Sequence, residues 1–376
     1  MKIGIDARMY GSKQGGLGRY IEQLILHLEK IDTQNEYIVF LRSENWDKFL
    51  PTNPKFKKVL ADVPWYGWKE QLLLPGIIKK QKLDLMHFPH WNVPLFFRGD
   101  FVVTTHDLLL LHYPSRQAST LGPIKYWIKN FFFKITLNRA TKRAAKIITV
   151  SQFSKQDIIQ TLKINPRRIA VTLLSPLPIS TVYNPPFSLH DKYDIHKPYW
   201  LYVGVAYPHK NLEKLIAAWK IFSQKNTDYQ LVLVGKTNFF YKRLAQQVKQ
   251  AKIPDVIFAD YVPDTELAEL YQNASLYVFP SLYEGFGLPP LEAMQYDLPV
   301  ISSNATCLPE ILSDAALYFD PKNERELVAK AELAISDEVT RTRLIENGHK
   351  ILGKYSWDTT AKQTLRIYEE MAKISG

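Results

Sequence analysis

Ser281-Leu282-Tyr283-Glu284-Gly285-Phe286-Gly287-Leu288-Pro289-Pro290-Leu291-Glu292 joins two differently patterned segments. Residues 274–280 before it (ASLYVFP) form a short apolar run of strand type, and residues 288–295 read as a helix with proline in its first turn. The stretch carries the chain from a strand end to a helix start. There the N–H groups of the first helical turn lack intrahelical acceptors and the positive end of the dipole faces outward, a setting that stabilises an anion. Gly285 and Gly287 let the backbone approach a ligand with no Cβ in between. Glu284 precedes the turn and faces the reacting end of such a ligand, and Glu292 lies further along in the helix. Taken singly, either glutamate reads as a solvated surface residue, since carboxylates are seldom buried.

The chain of 376 residues, 46% of them hydrophobic, is long enough for two domains of ordinary size and too apolar for disorder. A single cysteine, Cys307, excludes an internal disulfide and fits a reducing compartment. It reads as buried or incidental. The first residues, MKIGIDA, show no basic segment followed by an apolar signal core, and no run reaches the roughly 18 apolar residues of a spanning helix. The expectation is a cytoplasmic protein, neither exported by that route nor integral. The net charge of +11 is unevenly spread: between Asp107 and Asp157 there is no acidic residue but nine basic ones.

In the first half, residues 2–7 (KIGIDA) read as a buried strand followed by a glycine-rich loop from Arg8 to Gly18, and Leu17, Ile21, Leu24, Ile25 and Leu28 then recur at helical spacing. Residues 36–42, 84–89, 101–107 and 146–151 are further strands. Their β-branched character and the helical material between them argue for a parallel sheet covered on both faces, with ligands at the strand C-termini. His87 and His106 fall at such ends, although a lone histidine is more often a packed structural residue. His90, Trp91 and Asn92 follow the 84–89 strand and are candidates to line an acceptor site. Residues 123–146 form the longest expected helix. On an ideal wheel of about 100° per residue, Lys125, Lys129, Arg139, Arg143 and Lys146 share one arc, with Trp127, Phe131, Phe132 and Phe133 around them. One reading is a helix packed on the sheet with snorkelling lysines; another is docking to an anionic membrane surface. Nucleic acid is a third reading, but no recognised binding module accompanies the charge and no such partner is expected.

In Val150-Ser151-Gln152-Phe153-Ser154-Lys155 a strand runs into a helix, with Ser154 as its expected N-cap. Residues 176–198 contain five prolines and no periodicity and read as a linker. The second half opens with a strand at 199–206 and a loop, Tyr207-Pro208-His209-Lys210-Asn211-Leu212, before a helix bearing Leu212, Leu215, Ile216 and Trp219. A lysine in such a loop is usually solvated; beside a diphosphate it offers a compact cation with three donors. Residues 229–235, 255–261 and 299–304 supply more strands. Trp357, Ala361, Leu365, Tyr368 and Met371 form a last helical stripe.

The Glu284–Glu292 spacing with GFGLPPL between, together with Pro208-His209-Lys210-Asn211-Leu212, Val103-Thr104-Thr105-His106-Asp107 and residues 297–321, resembles the retaining GT-B glycosyltransferases of family four, the group 1 glycosyl transferases, over nearly the whole chain. The likeness is to mannosyltransferase-like members of polysaccharide biosynthesis. It implies an α/β fold of GT-B type, two Rossmann-like domains facing a central cleft. The implied division is an acceptor-binding domain (1–178), a linker (179–198), a nucleotide-sugar domain (199–355) and a final helix (356–376) crossing back to the first domain.

The resemblance assigns catalysis to Glu284, His106 and Lys210. Donor binding falls to Gly15, Gly16, Arg19, Gly204, Tyr261, Val262, Gly285, Phe286, Gly287, Leu288 and Glu292, and the acceptor side to His90, Trp91 and Asn92. Many relatives carry an arginine shortly after the glycine matching Gly204, where this chain has Val205 and Ala206; a second phosphate-binding cation is therefore open, with Arg19 a candidate. The implied reaction moves a hexose from a GDP- or UDP-linked sugar to a saccharide or lipid-linked saccharide, with retention and with neither metal nor other cofactor. No DxD pair occurs in the chain. The other readings to be weighed are a nucleotide-sugar epimerase of the same double-Rossmann plan and a non-catalytic membrane-surface binding protein.

Overall fold

The computed structural model describes residues 1–114, 122–177 and 188–375. These divide into two compact units, one of residues 1–114, 122–174 and 356–375, the other of residues 175–177 and 188–355. In the first unit the strands are β1 (Lys2–Asp6), β2 (Glu36–Leu41), β3 (Phe56–Leu60), β4 (Leu85–Phe88), β5 (Phe101–Thr104), β6 (Lys146–Thr149) and β7 (Ile169–Val171). They form one parallel sheet in the order β3-β2-β1-β4-β5-β6-β7. The second unit has β8 (Tyr199–Val203), β9 (Gln230–Val234), β10 (Val256–Asp260), β11 (Leu276–Phe279), β12 (Val300–Ser303) and β13 (Ala316–Phe319). Its order, β10-β9-β8-β11-β12-β13, is also all parallel. In both sheets the winding reverses beside the first strand, so each has a switch point, between β1 and β4 and between β8 and β11.

The central strands are near-continuous apolar runs because helices cover both faces. Around β8, Trp200 packs against Phe222 at 4.4 Å and against Trp219 at 5.3 Å between ring centroids, and the Trp219 indole N–H donates to Pro254 O at 2.9 Å. Three strands escape a sequence reading, β3, β7 and β13. Each lies at a sheet edge, and β3 (FKKVL) carries two lysines where a central strand would be apolar, as edge strands do.

Several local expectations are revised. The first helix spans Gly15–Ile31, so Gly15, Gly16 and Gly18 belong to its first turns rather than to a loop reaching Gly18. A Cβ on Gly18 would lie 2.1 Å from Gly11 O, which is why the turn needs glycine there. Ser151, not Ser154, caps the Gln152–Leu162 helix: its hydroxyl accepts from Ser154 N at 3.1 Å. The long basic helix ends at Arg143, because Ala144 turns extended and Lys146 opens β6, its Nζ 3.5 Å from Glu370. Of the expected linker, residues 179–187 lie outside the described residues, and Leu189–Tyr193 is helical. Lys192 and Tyr193 both bind Glu266, at 2.8 and 2.7 Å.

His87 is an interior strut of the first unit, not a ligand at a strand end. Its Nδ1 lies 2.6 Å from the Tyr368 hydroxyl on the Trp357–Ser375 helix and its Nε2 2.8 Å from Thr104 Oγ1, itself 3.1 Å from the Tyr20 hydroxyl. This chain ties the C-terminal helix to β4, β5 and the first helix. The cap is directly testable: Ser151→Ala should lower unfolding stability by about 1 kcal/mol in urea titrations, the usual loss for a serine N-cap.

Candidate functional site

In the second unit two loops leave the switch point, residues 204–211 after β8 and 280–287 after β11. They meet through one ion pair: Lys210 Nζ lies 2.6 Å from Glu284 Oε1, with side chains 16% and 13% exposed. The ammonium also lies 5.7 Å from the centre of the Phe279 ring. Sequence reasoning singled out both residues but gave them separate tasks; folding makes them partners.

A set of short bonds fixes the two loops. Leu282 N donates to His209 O at 2.7 Å, and Asn211, left-handed at φ +61°, donates from Nδ2 to Pro280 O at 3.0 Å and Pro321 O at 2.8 Å. Glu284 N donates to Thr306 Oγ1 at 3.1 Å, and the Cys307 thiol lies 3.3 Å from Glu284 O and 3.2 Å from Phe286 O. Ser303 Oγ donates to Ser281 O at 2.6 Å. The one cysteine of the chain is thus a fastener of the glutamate loop, and burial raises its pKa and keeps it a thiol. No sequence signal marked Thr306 or Cys307 for this.

Gly287 adopts φ +100° as the N-cap of the Leu288–Met294 helix, and a Cβ there would lie 2.8 Å from Leu308 Cδ2. That helix is only seven residues long, and Pro289 and Pro290 in its first turn have no N–H. The first turn of this helix therefore offers fewer free N–H groups than the expected anion setting calls for. Glu292, further into the helix, accepts from the buried Tyr271 hydroxyl at 3.4 Å, and Tyr271 stacks on Tyr296.

Gly204 at the end of β8 approaches Gly235 at the end of β9 so closely that a Cβ on Gly235 would lie 1.9 Å from Gly204 O. Tyr261, 65% exposed, and the buried Val262 follow β10 on the same edge. Arg243 lines a pocket with Ala206 and Tyr207, but Glu213 holds it at 2.5 Å.

The C-terminal ends of β1, β4 and β5 assemble a second group of residues in the first unit. His106 lies just past β5; its Nε2 is 3.2 Å from Pro89 O, and the Tyr20 ring meets its ring edge-on at 4.7 Å. His90 stacks obliquely on Trp91 at 4.5 Å, and Trp91 meets Phe133 at 4.7 Å. Asn92 turns inward instead of lining a surface: it is buried and its Nδ2 lies 2.9 Å from both oxygens of Glu70. Glu70 in turn holds Arg8 at 2.6 Å, and Asp6 holds the same guanidinium at 2.7 Å. Burial works against the charge of Arg8, but the two carboxylates outweigh it and raise its pKa. Arg8 and Glu70 were not foreseen; their partnership spans 62 residues of sequence and only the sheet brings them together. Gly15, Gly16 and Arg19 lie in the first turns of the helix after β1.

Desolvation holds four imidazoles neutral. It pushes His87 and His90 down to about 3 and His106 and His209 to about 4, Lys210 adding to the effect at His209. A histidine whose folded pKa is depressed contributes stability above its unfolded pKa and loses it as pH falls through the folded value. Unfolding free energy should therefore decline from about pH 6.5 towards pH 4. His87→Gln should make that decline shallower in urea titrations across the same range.

The family described as "Glycosyl transferases group 1" matches residues 189–351, and "Glycosyltransferase Family 4" matches residues 14–172. The chain is 31% identical to O-antigen chain mannosyltransferase B of Escherichia coli over 78% of its own length and 76% of that protein's. It is also 31% identical to O-antigen chain mannosyltransferase RfbU of Salmonella typhimurium, over 71% and 69%. Among solved structures, Anabaena HepE in complex with UDP and glucose superposes with a TM-score of 0.75 at 19% identity, covering 98% of this chain and 100% of that one. With two doubly wound parallel sheets that share one order over six strands and family matches in both halves, the chain belongs to the group 1 glycosyltransferases of family four and has their GT-B fold of two Rossmann-like domains.

Proposed function

We propose that this glycosyltransferase moves a hexose, mannose by analogy with its two mannosyltransferase relatives, from a nucleotide diphosphate sugar to a saccharide or lipid-linked saccharide in cell-surface glycan assembly. The observation that carries the reading is the Lys210–Glu284 pair at the switch point of the second unit. A lysine there, already desolvated and held by one carboxylate, is a cation that a diphosphate can share. As the bond from the anomeric carbon to the phosphate oxygen breaks, charge builds on the departing diphosphate, and stabilisation is worth most where that charge appears. Lys210 and the amides of Gly285, Phe286, Gly287 and Leu288 are assigned to it, which lets the reaction proceed without a bound metal.

Glu284 is assigned to the hydroxyls of the transferred sugar and Glu292 to the ribose. Gly204, Tyr261 and Val262 are assigned to the nucleotide. The UDP seen in HepE makes a UDP-linked donor as reasonable as a GDP-linked one. On the family resemblance, His106, Gly15, Gly16 and Arg19 act on the sugar and phosphate side, and His90 and Trp91 on the acceptor, with Asn92 bracing them through Glu70. Retention follows if the acceptor hydroxyl attacks the face the phosphate leaves, its proton passing to the departing phosphate oxygen. No carboxylate need form a covalent intermediate. Among the described residues no helix is long and apolar enough to cross a membrane; for a lipid-linked acceptor the reading adds peripheral attachment at the inner face of the cytoplasmic membrane.

Thermal denaturation with a panel of nucleotides and nucleotide sugars tests the donor assignment. A ligand at a hundred times its dissociation constant adds about 2.7 kcal/mol to the native state, so a clear rise in midpoint is expected with GDP or UDP and its loss in Lys210→Ala. Glu284→Ala should keep that rise while turnover falls by about 100-fold or more. The product anomer read by NMR checks retention, and undiminished turnover in EDTA checks independence from metal. Absence of any shift at saturating nucleotide would overturn the reading.

A further inference from the structure

One buried carboxylate ties together three loops of the first unit. Glu70, on the Trp68–Lys79 helix, is wholly buried and uses both oxygens: it accepts from Tyr66 N at 2.8 Å, from Arg8 Nη2 at 2.6 Å and from Asn92 Nδ2 at 2.9 Å. The bond to Tyr66 is local, the ordinary service of a first-turn carboxylate to the N–H groups at a helix start. The other two are long-range. Arg8 follows β1 and Asn92 follows β4, so Glu70 clamps the loops that leave β3, β1 and β4 at their C-terminal ends. Neutralising the buried Arg8 requires one carboxylate, which Asp6 already supplies at 2.7 Å; the ties from Glu70 to Tyr66 and Asn92 go beyond that need.

What the clamp holds in place is a group of rings. Tyr66 is 52% exposed and sits at φ +59°, a left-handed conformation that a bulky residue keeps only where its surroundings impose it. Its ring centre lies 5.8 Å from that of Trp91 and 6.2 Å from that of His90, both from the β4 loop. Beside His90 is a narrow cleft of about 10 Å³, room for a single hydroxyl or water, lined also by Asp6, Arg8, Trp65 and Asn92. The indole N–H of Trp65 is buried with no acceptor among the described residues, an arrangement that costs free energy until a partner arrives. His90 Nδ1 accepts from Asn92 N at 3.3 Å, which leaves the proton of the neutral ring on Nε2. The corner thus combines aromatic rings with a small cleft bearing N–H donors and the Asp6 carboxylate. A pyranose has the matching division, C–H groups on a ring face and hydroxyls at the edge.

We propose that this corner is a pyranose subsite for the acceptor saccharide, one sugar ring lying against Tyr66 and Trp91 with a hydroxyl in the cleft, and that Glu70 is the positioning residue that keeps the three loops in register for it. Tyr66 and Trp91 come from loops 25 residues apart, so a shift of either loop separates the rings, and the Glu70 carboxylate is the one group bonded to both loops through Tyr66 N and Asn92 Nδ2. A hydroxyl in the cleft supplies the acceptor that the Trp65 N–H lacks and donates in turn to Asp6. Tyr66, Trp65 and Glu70 carried no sequence signal for this role. The proposal rests on the reading that the protein transfers a sugar to a saccharide and adds where that saccharide is held, but its test needs no donor.

Saturation-transfer difference NMR of the full chain with the methyl α-glycosides of mannose, glucose and galactose, each at millimolar concentration, tests this. At least one glycoside is expected to take up saturation most strongly at the C–H protons of one ring face, and Tyr66→Ala should weaken its binding by about tenfold or more while Tyr66→Phe, which keeps the ring, retains it. Glu70→Gln should also weaken it by about tenfold. Because that change leaves Arg8 with one carboxylate and can lower stability, Asn92→Ala, which frees the β4 loop and leaves the Arg8–Glu70 pair intact, is measured beside it with the same expected loss. Each variant should keep the nucleotide-dependent thermal shift of the unaltered chain, which reports folding and the donor site; a merely structural Glu70 would change stability and leave glycoside affinity alone. No saturation of any glycoside, or saturation unaffected by Tyr66→Ala, overturns the subsite. Glycoside affinity unchanged in both Glu70→Gln and Asn92→Ala overturns the positioning role. A nucleotide shift without glycoside binding sinks the subsite alone, and absence of the nucleotide shift in the unaltered chain sinks the transfer reading on which it rests.

Discussion

Everything here depends on the requirement that a parallel sheet be crossed over after each strand. No hairpin can join parallel neighbours, so each connection travels over a face of the sheet, and both faces become buried. When winding starts at a central strand and later reverses, the loops leaving the two central strands part at their C-terminal ends. In the second unit those loops are the ones bearing Lys210 and Glu284; in the first they bear the Arg8 segment and the His90–Asn92 segment. The architecture selects the positions, and the residues at those positions determine the chemistry.

The Lys210–Glu284 pair is held in place from behind. Its neighbourhood has side chains under one-fifth exposed and loop carbonyls already engaged by Asn211, Ser303 and Cys307, so neither charge has much room to reorganise. Partial desolvation makes such a pair costly to leave half-made. In the proposed function a diphosphate would compete for the ammonium, since it offers Lys210 what the carboxylate offers. Preorganised charge of this kind needs little rearrangement when the reaction demands it.

The first unit uses its buried polar groups differently. Arg8, Asp6, Glu70 and Asn92 satisfy one another beneath the β1 and β4 loop ends, and His87 links Tyr368 to Thr104 through both ring nitrogens. These groups fix loop positions and the seat of the C-terminal helix. Outside that framework the same unit leaves several large apolar side chains exposed, Trp68, Phe96 and Phe131 among them.

The sequence by itself determined the fold class, because it rests on local patterns: apolar runs of strand length, helical stripes such as Ile21, Leu24, Ile25 and Leu28, and glycine- and proline-marked turns between them. It also marked the glutamate loop and the Lys210 loop, since their residue types recur at a spacing that single-chain chemistry and family likeness both make readable. Edge strands β3, β7 and β13, the ends of helices, and the cap at Ser151 were less legible, because each depends on which neighbour supplies the last hydrogen bonds. Only the tertiary structure decided that Lys210 neutralises Glu284, that Cys307 and Thr306 fasten the loop, and that Arg8 meets Glu70. Those are contacts between residues far apart in the chain. A periodicity records which side of an element is buried, but it carries no information about what lies across from it.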